Sequence, residues 1–119
     1  YAYYLDECMI EDAAALFAPS NASSLQFADC ANGRRENELT LHHVLQPIIT
    51  VAADGLTATF VARQWQVHAT GADDDYYQMG RLEGTAVREG AQWKLLALRT
   101  RHSWTASATE GWAHATLAP

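Results

Sequence analysis

The chain has 119 residues, of which 49% are hydrophobic, and its formal net charge at pH 7 is −6. This length predicts one domain over residues 1–119 with a small core. The negative charge, with no basic cluster larger than Arg34–Arg35, argues against nucleic acid or a membrane surface as partner, and no apolar run is long enough to cross a bilayer.

The first predicted element is a helix over residues 1–17, which ends before Pro19 because proline disfavours helical geometry in the residue preceding it. Steps of three and four residues place Asp6, Ile10 and Phe17 on one stripe facing a core or a cavity. Leaving a carboxylate unpaired there costs roughly several kcal/mol of folding free energy. Such a carboxylate tends to have a raised pKa, which is what a general base or acid near neutral pH needs. The alternative is an ordinary boundary aspartate that is capped or paired with an arginine.

The two cysteines, Cys8 on this helix and Cys30 in the following loop, allow one disulfide at most. We interpret both as reduced and expect a cytoplasmic protein. No group of His, Cys, Asp and Glu has the ligand spacing of a metal site on one element, so neither a metal nor another cofactor is predicted.

After the helix, residues 20–37 are predicted to be a loop, then a short strand around Leu25 and Phe27, then a loop or a helical turn. The pattern then becomes that of β-structure, with turns at Asp54-Gly55 and around Gly90. The predicted strands are 41–52, 56–68, 76–88 and 92–104. A helix packed on such a curved antiparallel sheet is an α+β architecture with a conical space between the layers.

Two glycines of the third predicted strand, Gly80 and Gly84, share one face. There they would permit a bend or the close approach of a neighbour, or they would only mark a crowded spot.

Two adjacent histidines near the start of the first predicted strand are the candidate partners of Asp6. Because neighbouring residues on a strand point to opposite faces, at most one of His42 and His43 can face the same cavity as Asp6. A histidine bonded to a carboxylate through one ring nitrogen has its tautomer fixed and can use the other nitrogen as a base. His68 and His102 are interpreted as ordinary strand residues.

Three segments in order resemble the SnoaL-like branch of the NTF2-like superfamily: YAYYLDECMIEDAAALFAP, HHVLQPIITVAADGLTATF and GRLEGTAVREGAQWKLLALRTRHSW. No single motif is specific, but their order and spacing cover nearly the whole chain. The resemblance implies an NTF2-like cone-shaped α+β barrel with a pocket, in a homodimer or homotrimer. It also implies cofactor-free acid/base chemistry on a small hydrophobic molecule.

In the dehydratase and dehydrochlorinase members of that superfamily, an aspartate on the first helix orients a histidine base on the first long strand. By position these residues correspond to Asp6 and His42. A basic residue on the last strand of some members falls near Arg99. Either Arg99 or Tyr4 would stabilise developing negative charge. The side chains expected to line the substrate pocket are Tyr4, Phe17 and Trp65.

Three functions remain open from the sequence. The first is a lyase or isomerase that uses Asp6 and His42. The second is a pocketed binding domain without turnover, which would be favoured if Asp6 paired with an arginine. The third is an association module whose exposed sheet face builds an oligomer; that face would carry Trp65, Trp93 and Trp104.

Overall fold

The computed structural model describes residues 1–19, 39–71 and 75–117. Within these ranges, two short helices precede five strands that form one antiparallel sheet in the order β1-β2-β3-β4-β5. The elements are α1 (Ala2–Asp6), α2 (Ile10–Ala15), β1 (Leu39–Val51), β2 (Thr57–Ala69), β3 (Tyr76–Glu89), β4 (Gln92–Ser107), a 3-10 turn (Trp112–His114) and β5 (Thr116–Leu117). The strand expected around Leu25 and Phe27 lies outside the described residues.

The four long predicted strands are confirmed, each within three residues of its predicted ends. Both predicted hairpin turns are present, with Gly55 at φ 68° and Gly90 at φ 61°. These left-handed conformations favour glycine, which has no Cβ to clash with the following carbonyl. At the first turn the Asp54 carboxylate accepts the Leu56 N–H at 2.8 Å and so closes the loop locally.

The prediction of one continuous helix over residues 1–17 is wrong, because the chain breaks between α1 and α2. Cys8 has φ 53°, a conformation that L-residues rarely adopt and that no helix contains. The Met9 N–H therefore bonds the Tyr4 carbonyl at 2.8 Å, five residues back, instead of continuing the ladder. As a result Asp6 is the last residue of α1 rather than a residue in the middle of a helix.

Cys8 is also part of a disulfide, so the interpretation of this cysteine as reduced is wrong. Cys30 lies outside the described residues. The cytoplasmic location, which was inferred from reduced cysteines, stays a prediction without that support. Neither described helix has the length and apolarity needed to cross a membrane.

The segment after α2 attaches the helical layer to β4. The Leu95 N–H donates to the Leu16 carbonyl at 2.8 Å, and the Leu95 carbonyl accepts the Ala18 N–H at 2.9 Å. Lys94 adds a bond from its Nζ to the Ala15 carbonyl at 2.6 Å. Phe17 is thereby held at 5% exposure, so this part of the predicted apolar stripe is confirmed as core.

The strand register divides the sheet into two faces. His42 is opposite Gln66 and Gln66 is opposite Gln78, so these side chains share the face that α1 covers, called here the helix face. Trp65 is opposite His43 and Met79, on the other side, called here the outer face.

Two strands depart from strict alternation. The β1–β2 register shifts between Leu45 and Ile48, where Gln46 has φ 51° and is followed by Pro47. Proline donates no N–H, so a bulge is one of the few places where a sheet accepts it. The β3–β4 register shifts as well, and one shift leaves Ser103 without a partner opposite it. A bulge changes which residues of a strand face the cavity.

The C-terminal segment covers part of the outer face with an aromatic cluster. The Trp112 ring lies 5.6 Å from each of the rings of Trp65, Tyr77 and Trp104, and it stacks on Tyr77 at an interplanar angle of 7°. Strand β5 continues this cover by pairing Leu117 with Trp104. The association-module hypothesis requires Trp65 and Trp104 to be free for a partner, whereas Trp112 packs on both.

Candidate active site

Asp6 and His42 form the centre of the candidate site. Oδ1 of Asp6 lies 2.6 Å from Nδ1 of His42, and Oδ2 accepts the backbone N–H of His42 at 2.8 Å. The two side chains are only 10% and 11% exposed, respectively. Both carboxylate oxygens are therefore used to hold one histidine, which fixes the end of α1 against β1.

The geometry defines the chemical state in which this pair can act. When Nδ1 carries the proton and donates it to Asp6, Nε2 is unprotonated and can accept a proton from a bound molecule. The neighbouring His43 is exposed, as the period of two on a strand predicts. The structure thus brings His42, and not His43, to Asp6; the catalytic role of the pair stays a prediction.

A cavity of about 120 Å³ adjoins the pair on the helix face. Its polar part is formed by glutamine, threonine and histidine side chains from β2 and β4, and Gln64 is 8% exposed and accepts a hydrogen bond from Oγ1 of Thr100 at 3.1 Å. The lining residues are Tyr1, Ala2, Leu5, His42, Val44, Gln64, Gln66, Leu82, Thr100 and His102.

A second cavity, of about 570 Å³, meets the first one at His42. Apart from Tyr1, Tyr3 and the two histidines, its lining is apolar or aromatic: Ala2, Leu16, Val44, Leu45, Phe60, Leu82, Trp93, Leu95 and Leu98. This volume lies within the range of about 300–1,000 Å³ that is usual for small-molecule pockets. His42 is therefore positioned where an apolar space meets a polar one.

Tyr1 lines both cavities and packs its ring edge-on against Phe17, with 5.8 Å between the ring centroids. Burial raises the pKa of the Tyr1 phenol above its ordinary value. At neutral pH the phenol is protonated and can donate a hydrogen bond into the cavity.

The other predicted site residues lie away from the two cavities beside His42. Neither Phe17 nor Tyr4 lines the two cavities described above: the Phe17 ring packs against Tyr1, and the Tyr4 ring packs against Tyr3. Trp65 and Arg99 lie on the outer face, away from His42. The expectations that Trp65 lines the pocket and that Arg99 assists the pair are therefore corrected.

His102 is the residue that the sequence analysis missed. It was interpreted as an ordinary strand residue, yet it lines the polar cavity together with His42. Arg99 is opposite Glu83, while His102 is opposite Gly80 and Thr100 is opposite Leu82. The alternation of Leu98, Thr100 and His102 would have placed these residues together, but only the register shows which alternate set faces the cavity.

Among residues 1–19, 39–71 and 75–117, no group of three His, Cys, Asp or Glu side chains could hold a metal ion.

The model of the SnoaL-like domain family matches residues 1–99, and the chain belongs to that family. No curated protein sequence matches this chain. Among solved structures, it is similar to a candidate scytalone dehydratase from Novosphingobium aromaticivorans DSM 12444, with a TM-score of 0.68 and 22% identity over 90% of this chain and 79% of that chain. It is also similar to ActVI-ORFA from Streptomyces coelicolor, with a TM-score of 0.63 and 15% identity over 85% and 87%.

Structural similarity at such low sequence identity establishes the fold alone. With the antiparallel sheet and the covering helices, it confirms the predicted NTF2-like α+β cone.

Proposed function

We propose that this protein is a cofactor-independent acid/base enzyme of the lyase or isomerase type, acting on a small hydrophobic molecule. The observation that carries the proposal is the 2.6 Å contact between Asp6 and Nδ1 of His42 at the junction of a polar and an apolar cavity. A positioned base of this kind contributes roughly 10²–10⁴-fold to the rate of a proton transfer.

The proposed reaction begins with the apolar part of the substrate in the larger cavity and its polar group among Gln64, Thr100 and His102. Nε2 of His42 removes a proton from a carbon next to a carbonyl, and Asp6 stabilises the imidazolium that forms. The Tyr1 phenol, which lines both cavities, would donate a hydrogen bond to the oxygen that gains negative charge.

Two outcomes are open to the resulting enolate. In an elimination, the carbon–carbon double bond forms as a β-hydroxyl leaves and is protonated by His102, so the products are an α,β-unsaturated ketone and water. In the isomerisation of a β,γ-unsaturated ketone, the enolate is a dienolate, and the imidazolium of His42 returns the proton to its γ-carbon. One solved structure with this fold is described as a candidate scytalone dehydratase, which supports the elimination.

A test uses a panel of small hydrophobic β-hydroxy ketones and matching ketones without the hydroxyl, incubated with the protein in D2O and followed by NMR. We expect loss of water from the former or incorporation of deuterium next to the carbonyl in the latter, both above the rate seen with His42→Ala. Compounds that bind near His42, as judged from its NMR signals, but show neither change would contradict the proposal.

That contrary outcome would support the non-catalytic binding domain. The sequence criterion for such a domain was an Asp6 paired with an arginine, whereas Asp6 contacts His42. We therefore place the binding function second.

We also propose that the protein is a homodimer or homotrimer, as the resemblance to its superfamily implies. Two strongly exposed apolar side chains share one face of β1: Ile49 is 64% exposed and Val51 is 52% exposed. Placing a charge there by Ile49→Asp should lower the mass in solution to that of the 13.1 kDa chain, and Thr50→Asp, its neighbour on the opposite face, is the matched control. Sedimentation equilibrium at micromolar concentration measures this, and a monomeric wild type would refute it.

A further inference from the structure

Four of the eight basic side chains of this acidic protein meet on the outer face of the sheet. Arg63 on β2 is directly opposite Arg81 on β3, which is directly opposite Arg101 on β4. Arg99 lies two residues before Arg101 on the same face. Neighbouring strands are about 4.8 Å apart, so three guanidinium groups form a row on the order of 10 Å long. Like charges in directly opposed positions destabilise a sheet.

Only part of this charge is neutralised. Glu83 is opposite Arg99, and its two oxygens bind Nη2 of Arg81 at 3.0 Å and Nε of Arg101 at 2.8 Å. The hydrogen bond from Arg101 is the main reason why the pKa of Glu83 lies below its ordinary value. Arg63 and Arg99 are exposed and make no hydrogen bond or salt bridge with any residue that the structure describes.

The row borders an open groove of about 1110 Å³ that also contains neutral polar and apolar groups. Gln46 and Ser103 can donate hydrogen bonds, and both lie at irregularities of the sheet. Ile48 and Val61 offer an apolar surface beside Arg63 and Arg99, and Ile48 is 67% exposed. This combination of unpaired guanidinium groups, neutral donors and an apolar patch fits an oxyanion attached to an apolar body.

We propose that this groove is a second ligand site, which binds the phosphate group of a small soluble phosphate monoester through Arg63 and Arg99. Guanidinium groups match phosphate oxygens with paired, charge-assisted hydrogen bonds. A bound dianion also relieves the repulsion along the arginine row, so binding stabilises the fold. Arg63 and Arg99 lie on the face opposite the Asp6–His42 pair, while Thr100 and His102 border both this groove and the polar cavity. The phosphate contacts use neither Thr100 nor His102, so the proposal does not depend on the proposed catalysis.

The test measures binding of phenyl phosphate by calorimetry and by the rise in Tm, at constant ionic strength, with phenol and inorganic phosphate as companion probes. Phenyl phosphate should bind more tightly than inorganic phosphate because of the apolar patch, and phenol should not bind in the groove. The double variant R63Q/R99Q should lose affinity by about tenfold or more, in line with the loss of charge-assisted bonds.

Two further variants test whether the loss of affinity is specific to the groove. Glu83→Gln should increase affinity, because it removes the carboxylate that competes for Arg81 and Arg101. Arg88→Gln, at the distant β3–β4 hairpin, is the matched control and should leave binding unchanged. An equal loss in Arg88→Gln, no loss in R63Q/R99Q, or a loss in Glu83→Gln would overturn the proposal.

Two other occupants of the groove are distinguished in the same series. Binding of wild type to vesicles containing phosphatidic acid, without binding of phenyl phosphate, would assign the row to a membrane surface and overturn the proposal. A change in the mass of the assembly on R63Q/R99Q substitution in phosphate-free buffer would make the row an interface between copies, which overturns it as well.

Discussion

Replacing Asp6 by Asn is expected to lower turnover by roughly 10²–10⁴-fold, the range that a positioned general base contributes. The carboxylate holds Nδ1 of His42 at 2.6 Å, and this contact keeps the proton on Nδ1. An asparagine amide can donate to Nδ1 instead, which moves the proton to Nε2 and removes the lone pair that must accept the substrate proton. His42→Ala removes the base itself and should have an effect of similar size.

The measurement is kcat/KM for the two single variants and the double variant, on any substrate found with the panel described above. Because both residues act through one imidazole, the double variant should be little worse than either single one. His114→Ala is the control, since this exposed histidine of the 3-10 turn lines neither cavity and should retain nearly full activity. Independent, multiplying losses would show that Asp6 and His42 do not act as a unit.

Gly84→Ala is expected to destabilise the fold by about 1–3 kcal/mol, the usual cost of forcing extra atoms into a packed site. A Cβ at this position would stand 2.6 Å from the Phe60 ring and against the backbone carbonyl oxygen of Ala97. The ring can turn aside, but the carbonyl belongs to the β3–β4 ladder and cannot move without disturbing it. The sequence left open whether Gly80 and Gly84 permit close approach or only mark a crowded spot, and the structure shows close approach at both.

Urea denaturation followed by tryptophan fluorescence measures this difference in the free energy of unfolding. Glu89→Ala, an exposed substitution at the end of the same strand, is the control and should change stability by no more than about 0.5 kcal/mol. If Gly84→Ala matched the control, the close approach of β4 and Phe60 to this backbone would be refuted.

The sequence by itself determined the elements whose signals are local. Period-two alternation and the Asp54-Gly55 and Gly90 turns place the four long strands, because each strand needs one apolar face and each hairpin a residue with positive φ. The same alternation separates His42 from His43. The match of the segments to the SnoaL-like pattern then indicates the cone and the pairing of Asp6 with His42, which the structure brings into contact.

Other features depended on the tertiary structure, because their causes are not local. No glycine or proline lies at the break at Cys8. The apolar periodicity of residues 1–17 therefore contains no signal that the helix is interrupted there. Bulges in β4 change which alternate residues face the cavity; the site therefore contains His102 and Thr100, while Arg99 joins the arginine row on the outer face. Trp65 is part of the aromatic cluster there because the distant Trp112 packs on it. Register and long-range packing decide which side of a sheet carries a function, and both arise only when the strands have assembled.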